Sequence, residues 1–304
     1  MITVSDGTAS RDIHVTVTER KPLVLDTSGY TTAVGNTYFF LAESGTDDFT
    51  VPAPVTADPS VAKVEFAEKT ETGSYLFRVS ALKSGTTTVG AELCGTATTF
   101  SVSVADTANL PFQPLLQKPE LLSGCEITAL TNLLNHDGYY VSKTYMADSM
   151  LSKDASKVIK NGKLYMADPA KIFVGDPRTP QFGCFSQPIA DAANRYLKSV
   201  NSLLTAQNIS GAEPAALYHS VANQVPVLAW VTMGMEEPLF NKKWIDKDTG
   251  AQITWIGKEH CVVLTGFTGS TVTFSDPLRG MVTCDRSLFE KRYAQVGKQA
   301  VVLR

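Results

Sequence analysis

The chain has 304 residues, 43% of them hydrophobic and 19% charged, with a formal net charge of −3. That is enough apolar material for two ordinary globular cores, and it gives no electrostatic reason to expect nucleic acid or an anionic membrane as partner. No run approaches the roughly 18 apolar residues of a membrane span, and the five cysteines (Cys94, Cys125, Cys184, Cys261, Cys284) show neither a disulfide framework nor CxxC metal spacing.

In chain order, residues 1–106 are rich in Thr, Val, Ser and Gly, with alternating apolar positions. RDIHVTVTE, NTYFFLAE, VAKVEFAE, GSYLFRVSAL, GTTTVGAEL and TTFSVSVAD each read as a period-two strand bounded by turn residues. ITVSDGTASRDIHVTV (2–17) echoes TTVGAELCGTATTFSVSV (87–104), as two closing strand pairs would. We therefore expect residues 1–20 to end a preceding β module and residues 21–106 to form a complete β-sandwich. The opening MITVSDGTAS reads as the middle of a domain, so the lack of a visible signal peptide does not bear on the compartment. His14 reads as a solvated strand residue, and nothing in this half collects catalytic side chains.

LFRVSALKSGTTTVGAEL followed by TTFSVSVAD resembles the closing half of a bacterial Ig-like domain, a module repeated in cell-surface proteins. The resemblance implies a spacer or adhesion role, further Ig-like modules in the full-length protein, and an extracellular or cell-surface location on a bacterium.

At DTANLPFQPLLQKPELLSG (106–124) the composition shifts to Pro and Leu and the alternation stops, so a second domain is expected over 107–304. CEITALTNLLNHDGYY carries a helical stripe at 127, 130, 133 and 134, closed by DG. SQPIADAANRYLKSV and GAEPAALYHSVANQ are further helices, the latter with Pro214 where a helix start tolerates it. VPVLAWVTM, HCVVLTGF, TVTFSD and QAVVLR then read as strands. Helices followed by antiparallel strands predict an α+β domain.

Cysteine chemistry needs a thiolate, a base and a group that orients the base. Cys125 opens the first helix behind Gly124, where the helix dipole is expected to lower a thiol pKa and the free N–H groups can hold an oxyanion. His136 lies on the same helix about 16 Å along its axis and cannot reach the sulfur; His219 sits near the end of a later helix. His260 follows Cys125 by 135 residues (260 minus 125), within the spacing of about 130 to 150 seen in papain-like enzymes. If Thr268, Gly269 and Ser270 form the next hairpin loop, Val262 faces Asp276, Leu264 faces Phe274 and Gly266 faces Val272. That register buries the apolar residues and brings His260 beside Asp276, which could orient the imidazole.

QKPELLSGCEITALTNLLNHDGYYVSK, DPRTPQFGCFSQPIADAANRYL, VPVLAWVTM, HCVVLTGFTGSTVTFSDPLRG and FEKRYAQVGKQAVVL, in that order, resemble the C39-like family of papain-type cysteine peptidases. The resemblance implies a papain-like fold, Cys125 as nucleophile, His260 as general base and acid, Asp276 as orienter, and Gln117 as an oxyanion-hole donor beside the Cys125 N–H. Trp244 and Trp255 flank a hairpin turn at DTG and either line a substrate cleft or cover the sheet. The loop GDPRTPQFG (175–183) could border the same cleft. Cys184, Cys261 and Cys284 read as packing residues, with Cys261 facing away from His260 and a disulfide among the three left open. No cofactor and no metal are expected, since calcium-type spacing is absent. The expected activity is hydrolysis of an amide bond in an extracellular peptide or cell-wall peptide, with a peptide or protein substrate and no nucleic acid or membrane insertion. The alternatives are a catalytically silent binding module and an acyl transferase built on the same triad.

Overall fold

The computed structural model describes residues 2–14, 21–45 and 50–304. They divide into two compact units, one of Met1–Tyr30, Thr37–Leu82 and Thr86–Val102, the other of Thr31–Asn36, Lys83–Gly85 and Ser103–Arg304. Among the described residues no helix is long and apolar enough to cross a membrane.

The N-terminal strands form two four-stranded sheets. One runs Val24–Leu25, Thr37–Glu43, Tyr75–Ala81, Ala62–Lys69, with every neighbour antiparallel. The other runs Gly29–Ala33, Thr96–Ala105, Gly85–Leu93, Ala53–Thr56. Along Thr37–Glu43 the residues Tyr38, Phe40 and Ala42 are buried and their neighbours are not, as period-two alternation requires. Phe40 stacks on Phe77 of its own sheet at 5.1 Å and meets Phe100 of the other edge-on at 5.2 Å, so the two inner faces share one core. A separate hairpin pairs Ile2–Ser5 with Ser10–Ile13, and all its side chains are exposed. His14 is exposed just past that hairpin. The rest of the expected strand RDIHVTVTE falls largely on 15–20, outside the described residues.

The second unit is built on one antiparallel sheet in the order Ala206–Asn208, Ala300–Leu303, Val227–Thr232, Glu259–Phe267, Thr271–Asp276, Gly280–Asp285, with Ala108–Asn109 pairing onto Glu259–Phe267. The central strands are buried on both faces, which explains why VLAWVT and HCVVLTGF read as mostly apolar rather than alternating. Leu228, Trp230, Cys261 and Val263 pack one face onto helices Cys125–His136 and Ser186–Ser199. Val227, Ala229, Val262 and Leu264 pack the other onto helices Pro214–Ala222 and Arg286–Gln295.

Helix Arg286–Gln295, which the strand reading of the C-terminal third passed over, lies between the last two strands. Asp285 caps it by accepting the Leu288 N–H at 2.9 Å, and Phe289 and Tyr293, four residues apart, supply its buried face. A smaller sheet pairs Leu239–Asp246 with Gln252–Gly257 around the DTG turn, with Gly250 at φ +76°. Lys163–Met166 joins its edge in parallel.

The hairpin after His260 differs from expectation at its loop. Leu264 faces Phe274 as expected, and Val263 faces Ser275 in the same register. Beyond Leu264 the register slips by one, so Gly266 faces Thr273 and Phe267 faces Val272. A bulge at Thr265 absorbs the extra residue. The slip is confined to the loop end, so the end carrying His260 keeps the register that unites it with Asp276.

Candidate active site

Helix Cys125–His136 begins at Gly124, whose side-chain-free position leaves the first-turn N–H groups without a side-chain cap. Gly124 has φ −107°, so its requirement is space: a Cβ there would meet the Cβ of Leu121 at 2.9 Å and of Pro177 at 3.1 Å. Every residue from Cys125 to Leu134 is buried, which fixes the helix against the sheet. Its middle is pinned by the Asn132 amide, which meets the Ser275 hydroxyl at 2.8 Å, next to Asp276 in sequence.

His260 is the second residue of the central strand Glu259–Phe267, and Asp276 closes its neighbour. His260 Nε2 and Asp276 Oδ1 are 2.7 Å apart, with both residues almost fully buried. Asp276 also accepts the Leu278 N–H at 2.8 Å and the Arg279 Nε–H at 2.8 Å. Burial alone pushes this carboxyl up, but the bond to His260, the charge on His260, the Leu278 N–H and Arg279 together hold it well below the usual carboxylate range. The pair leaves Nδ1 as the imidazole nitrogen open to another partner. Leu278 and Arg279 went unnoticed in the sequence; the signal was the DPLR turn, in which an Asp at a strand end accepts the N–H two residues on.

Gln117 is buried, and its backbone N–H donates to Pro277 O at 2.8 Å, tying its loop to the end of the Asp276 strand. Its side-chain Nε2 donates to Leu121 O at 3.2 Å and Leu122 O at 3.1 Å, while Oε1 is buried without a partner. The amide hydrogens therefore bind loop carbonyls in this state.

Cys125 is where the structure departs most from expectation. The helix start was expected to lower its pKa; instead burial, then the charges of Glu126 and Glu259, push the thiol well above its ordinary value, with the Cys261 N–H working weakly the other way. The thiol donates to Glu126 Oε2 at 3.2 Å, rather than to His260. Glu126 Oε1 accepts the Cys184 N–H at 2.8 Å, and burial pushes this carboxyl up to about 7. Glu259, beside His260 in sequence, is raised well above its ordinary value by burial and by Glu126. Neither glutamate had been singled out, although each adjoins a proposed catalytic residue inside an otherwise apolar run, CEITAL and EHCVVL.

Cys125, His260, Gln117, Glu126 and Glu259 all line one cavity of about 470 Å³, a size suited to a short peptide segment or small ligand. Trp255 lines it too, as do Pro180, Gln181 and Phe182 of the loop at 175–183. Trp244 does not. It is buried against Met166, Val174 and Trp255, and its ring N–H donates to Ala167 O at 2.9 Å, so it belongs to the core under the hairpin. His136 stacks on Phe112 at 4.8 Å at the far end of its helix, and His219 lies in the last turn of Pro214–Ala222. Cys261 lies on the face packed against the Cys125 helix, and all five cysteines are free thiols.

Residues 108–301 match the Peptidase_C39 like family. The chain is 33% identical over 194 residues to the uncharacterized protein YvpB of Bacillus subtilis (strain 168), a match covering 62% of this chain and 72% of YvpB. It is also similar to the crystal structure of a Bacillus anthracis protein assigned to the C39-like peptidases, with 27% identity and a TM-score of 0.56 over 66% of this chain and 98% of that one.

Proposed function

Because the chain belongs to the Peptidase_C39 like family, we propose that it is a papain-like cysteine peptidase that cleaves an amide bond through Cys125, His260 and Asp276. The observation that carries this reading is the buried His260–Asp276 pair at 2.7 Å, whose His260 lines the same cavity as a cysteine at an uncapped helix start. Asp276 takes His260 Nε2, so Nδ1 is the nitrogen that accepts the Cys125 proton. The thiolate then attacks the carbonyl carbon, a C–S bond forms, and the electron pair displaced onto oxygen is held by the Cys125 N–H. Gln117 contributes a second donor by exchanging one loop carbonyl for the oxyanion. Collapse breaks the C–N bond, His260 returns its proton to the leaving amine, and water releases the acyl group.

Ionisation requires Cys125 to turn from Glu126 toward His260, and it is favoured while the two glutamates carry protons. A binding module without turnover is the second reading, favoured by the thiol's bond to Glu126 and its raised pKa. The substrate proposed is an extracellular peptide or a cell-wall peptide, met through Trp255 and the 175–183 loop. The N-terminal β unit is read as an Ig-like spacer that holds this domain at a bacterial surface, and transfer of the acyl group to an amine would use the same residues.

The test is labelling by a cysteine-directed active-site probe in wild type, Cys125→Ala and His260→Ala. Peptidase chemistry predicts rapid single labelling in wild type, none at this site in Cys125→Ala, and a marked slowing in His260→Ala. Equal labelling of wild type and His260→Ala defeats the reading. Including a primary amine separates transfer from hydrolysis by the product released.

A further inference from the structure

The cavity holds an unusual trio that the peptidase chemistry does not require. Cys125 Sγ and one carboxylate oxygen each from Glu126 and Glu259 lie within 4.8 Å of one another, all three residues buried. Among the described residues no lysine or arginine forms a salt bridge with either glutamate. Glu259 is more than nine-tenths buried and its Oε1 has no hydrogen-bond partner. Gly183 closes the trio from above: a Cβ there would fall 2.0 Å from Glu126 Oε1 and 3.3 Å from Glu259 Oε2, so this packing demands glycine.

Three groups that each become anionic donors on losing a proton converge on one point, and one of the glutamates carries an orphaned buried oxygen, which is the environment of a cation. We propose that Cys125, Glu126 and Glu259 bind a divalent transition metal ion of the zinc class. The donor set selects the class. A thiolate excludes calcium and magnesium as preferred occupants, whereas one sulfur and two carboxylate oxygens suit zinc, with a fourth position left to water. Zinc–sulfur and zinc–oxygen bonds of about 2.3 and 2.1 Å place ligand atoms about 3.5 Å apart in a tetrahedron, and the Cys125 Sγ to Glu126 Oε2 separation is already 3.2 Å. Binding releases to solvent the thiol proton and any proton held by the two carboxyls, so zinc takes the place of protons that otherwise keep the trio from repelling itself.

The consequence for activity rests on the nucleophile reading above, although the site itself does not. A Cys125 sulfur bonded to zinc cannot attack a carbonyl, so occupancy makes zinc a reversible blocker of this cavity.

The metal-free full chain is titrated with cobalt(II) as a spectroscopic stand-in, followed by competition with zinc(II). The expected result is one ion per chain with a sulfur-to-cobalt charge-transfer band, lost in Cys125→Ala and weakened by about tenfold or more in Glu259→Gln. Glu259→Gln is close to isosteric, and its circular dichroism and melting curve report whether it is folded. Zinc is expected to protect Cys125 from iodoacetamide, and a chelator to restore the reaction. An unchanged band in Cys125→Ala, wild-type affinity in folded Glu259→Gln, or undiminished alkylation of zinc-loaded Cys125 overturns the proposal. If metal-free Cys125 instead reacts no faster in wild type than in His260→Ala, the nucleophile reading fails while the binding result stands on its own.

Discussion

Asp276 and Glu259 are both buried carboxyl residues at one cavity, Glu259 in its wall and Asp276 bonded to the lining residue His260, and they end in opposite states. Asp276 accepts from His260, Leu278 and Arg279, and sits well below the usual carboxylate range despite its burial. Glu259 has an oxygen with no partner and a second glutamate nearby, and sits well above it. Burial acts in the same direction on both; partners decide the outcome. We propose that the His260–Asp276 pair holds the proton taken from Cys125, and that the Glu259 side holds protons or a cation.

The largest effects should come from dismantling the Asp276 side. Cys125→Ala or His260→Ala should lower turnover of a cleaved peptide by roughly 10⁴- to 10⁶-fold, measured as initial rates on folded variants. Asp276→Asn, which keeps the shape but removes the charge, should cost about 10² to 10⁴-fold, mostly in kcat. A near-wild-type rate in Asp276→Asn would remove the difference on which the comparison turns.

Trp244→Ala and Trp255→Ala separate core from cavity. Trp244→Ala should destabilise the fold by about 3–5 kcal/mol, read by denaturant unfolding. Trp255→Ala should raise KM in addition to its stability cost, since Trp255 borders the cavity and Trp244 does not.

On the Glu259 side the sign reverses. A carboxyl whose folded pKa is raised contributes stability that is intact below the unfolded pKa and is lost as pH rises through the folded one. For Glu126 the window runs from about 4.5 to about 7, and Glu259 extends the loss to higher pH. The metal-free chain should therefore lose on the order of 3 kcal/mol between those limits from Glu126 alone. Glu126→Gln should flatten that decline, and Glu259→Gln should stabilise the chain at pH 8 by about 1–3 kcal/mol, both read from melting curves across pH. Asp276 has the opposite sign, its contribution being present above the unfolded value near 3.8 and lost as pH falls further. The smallest change belongs to Arg279→Ala: Arg279 is substantially exposed, and losing its contact with Asp276 should cost about 1 kcal/mol or less.

Much of this was legible in the sequence because it depends on local pattern. The stripe at 127, 130, 133 and 134 fixed the helix that Cys125 opens, and the demand that Leu264 and Phe274 share a buried face set the register uniting His260 with Asp276. What was not legible depends on tertiary placement. The direction of the Gln117 amide is decided by the carbonyls of Leu121 and Leu122, which a turn brings back onto it. Trp244 and Trp255 lie diagonally on one hairpin, and Met166, Ala167 and Val174, packed beside Trp244, make it core. The raised pKa of Cys125 arises first from burial and then from Glu126 and Glu259, 133 residues apart (259 minus 126), which converge beside one sulfur; no spacing rule announces that.

The central claim is that His260, oriented by Asp276, makes Cys125 a nucleophile. Its most direct measurement is the pH dependence of alkylation of Cys125 and of exposed Cys94 in the same metal-free sample, quantified by mass spectrometry in wild type and His260→Ala. A thiol reacts as its thiolate, so an unassisted thiol loses reactivity as pH falls. Cys125 is expected to stay reactive at pH 6, where the glutamates are protonated and His260 takes the thiol proton, and His260→Ala is expected to abolish this advantage. A Cys125 that is slower than Cys94 at every pH, with or without His260, would contradict it.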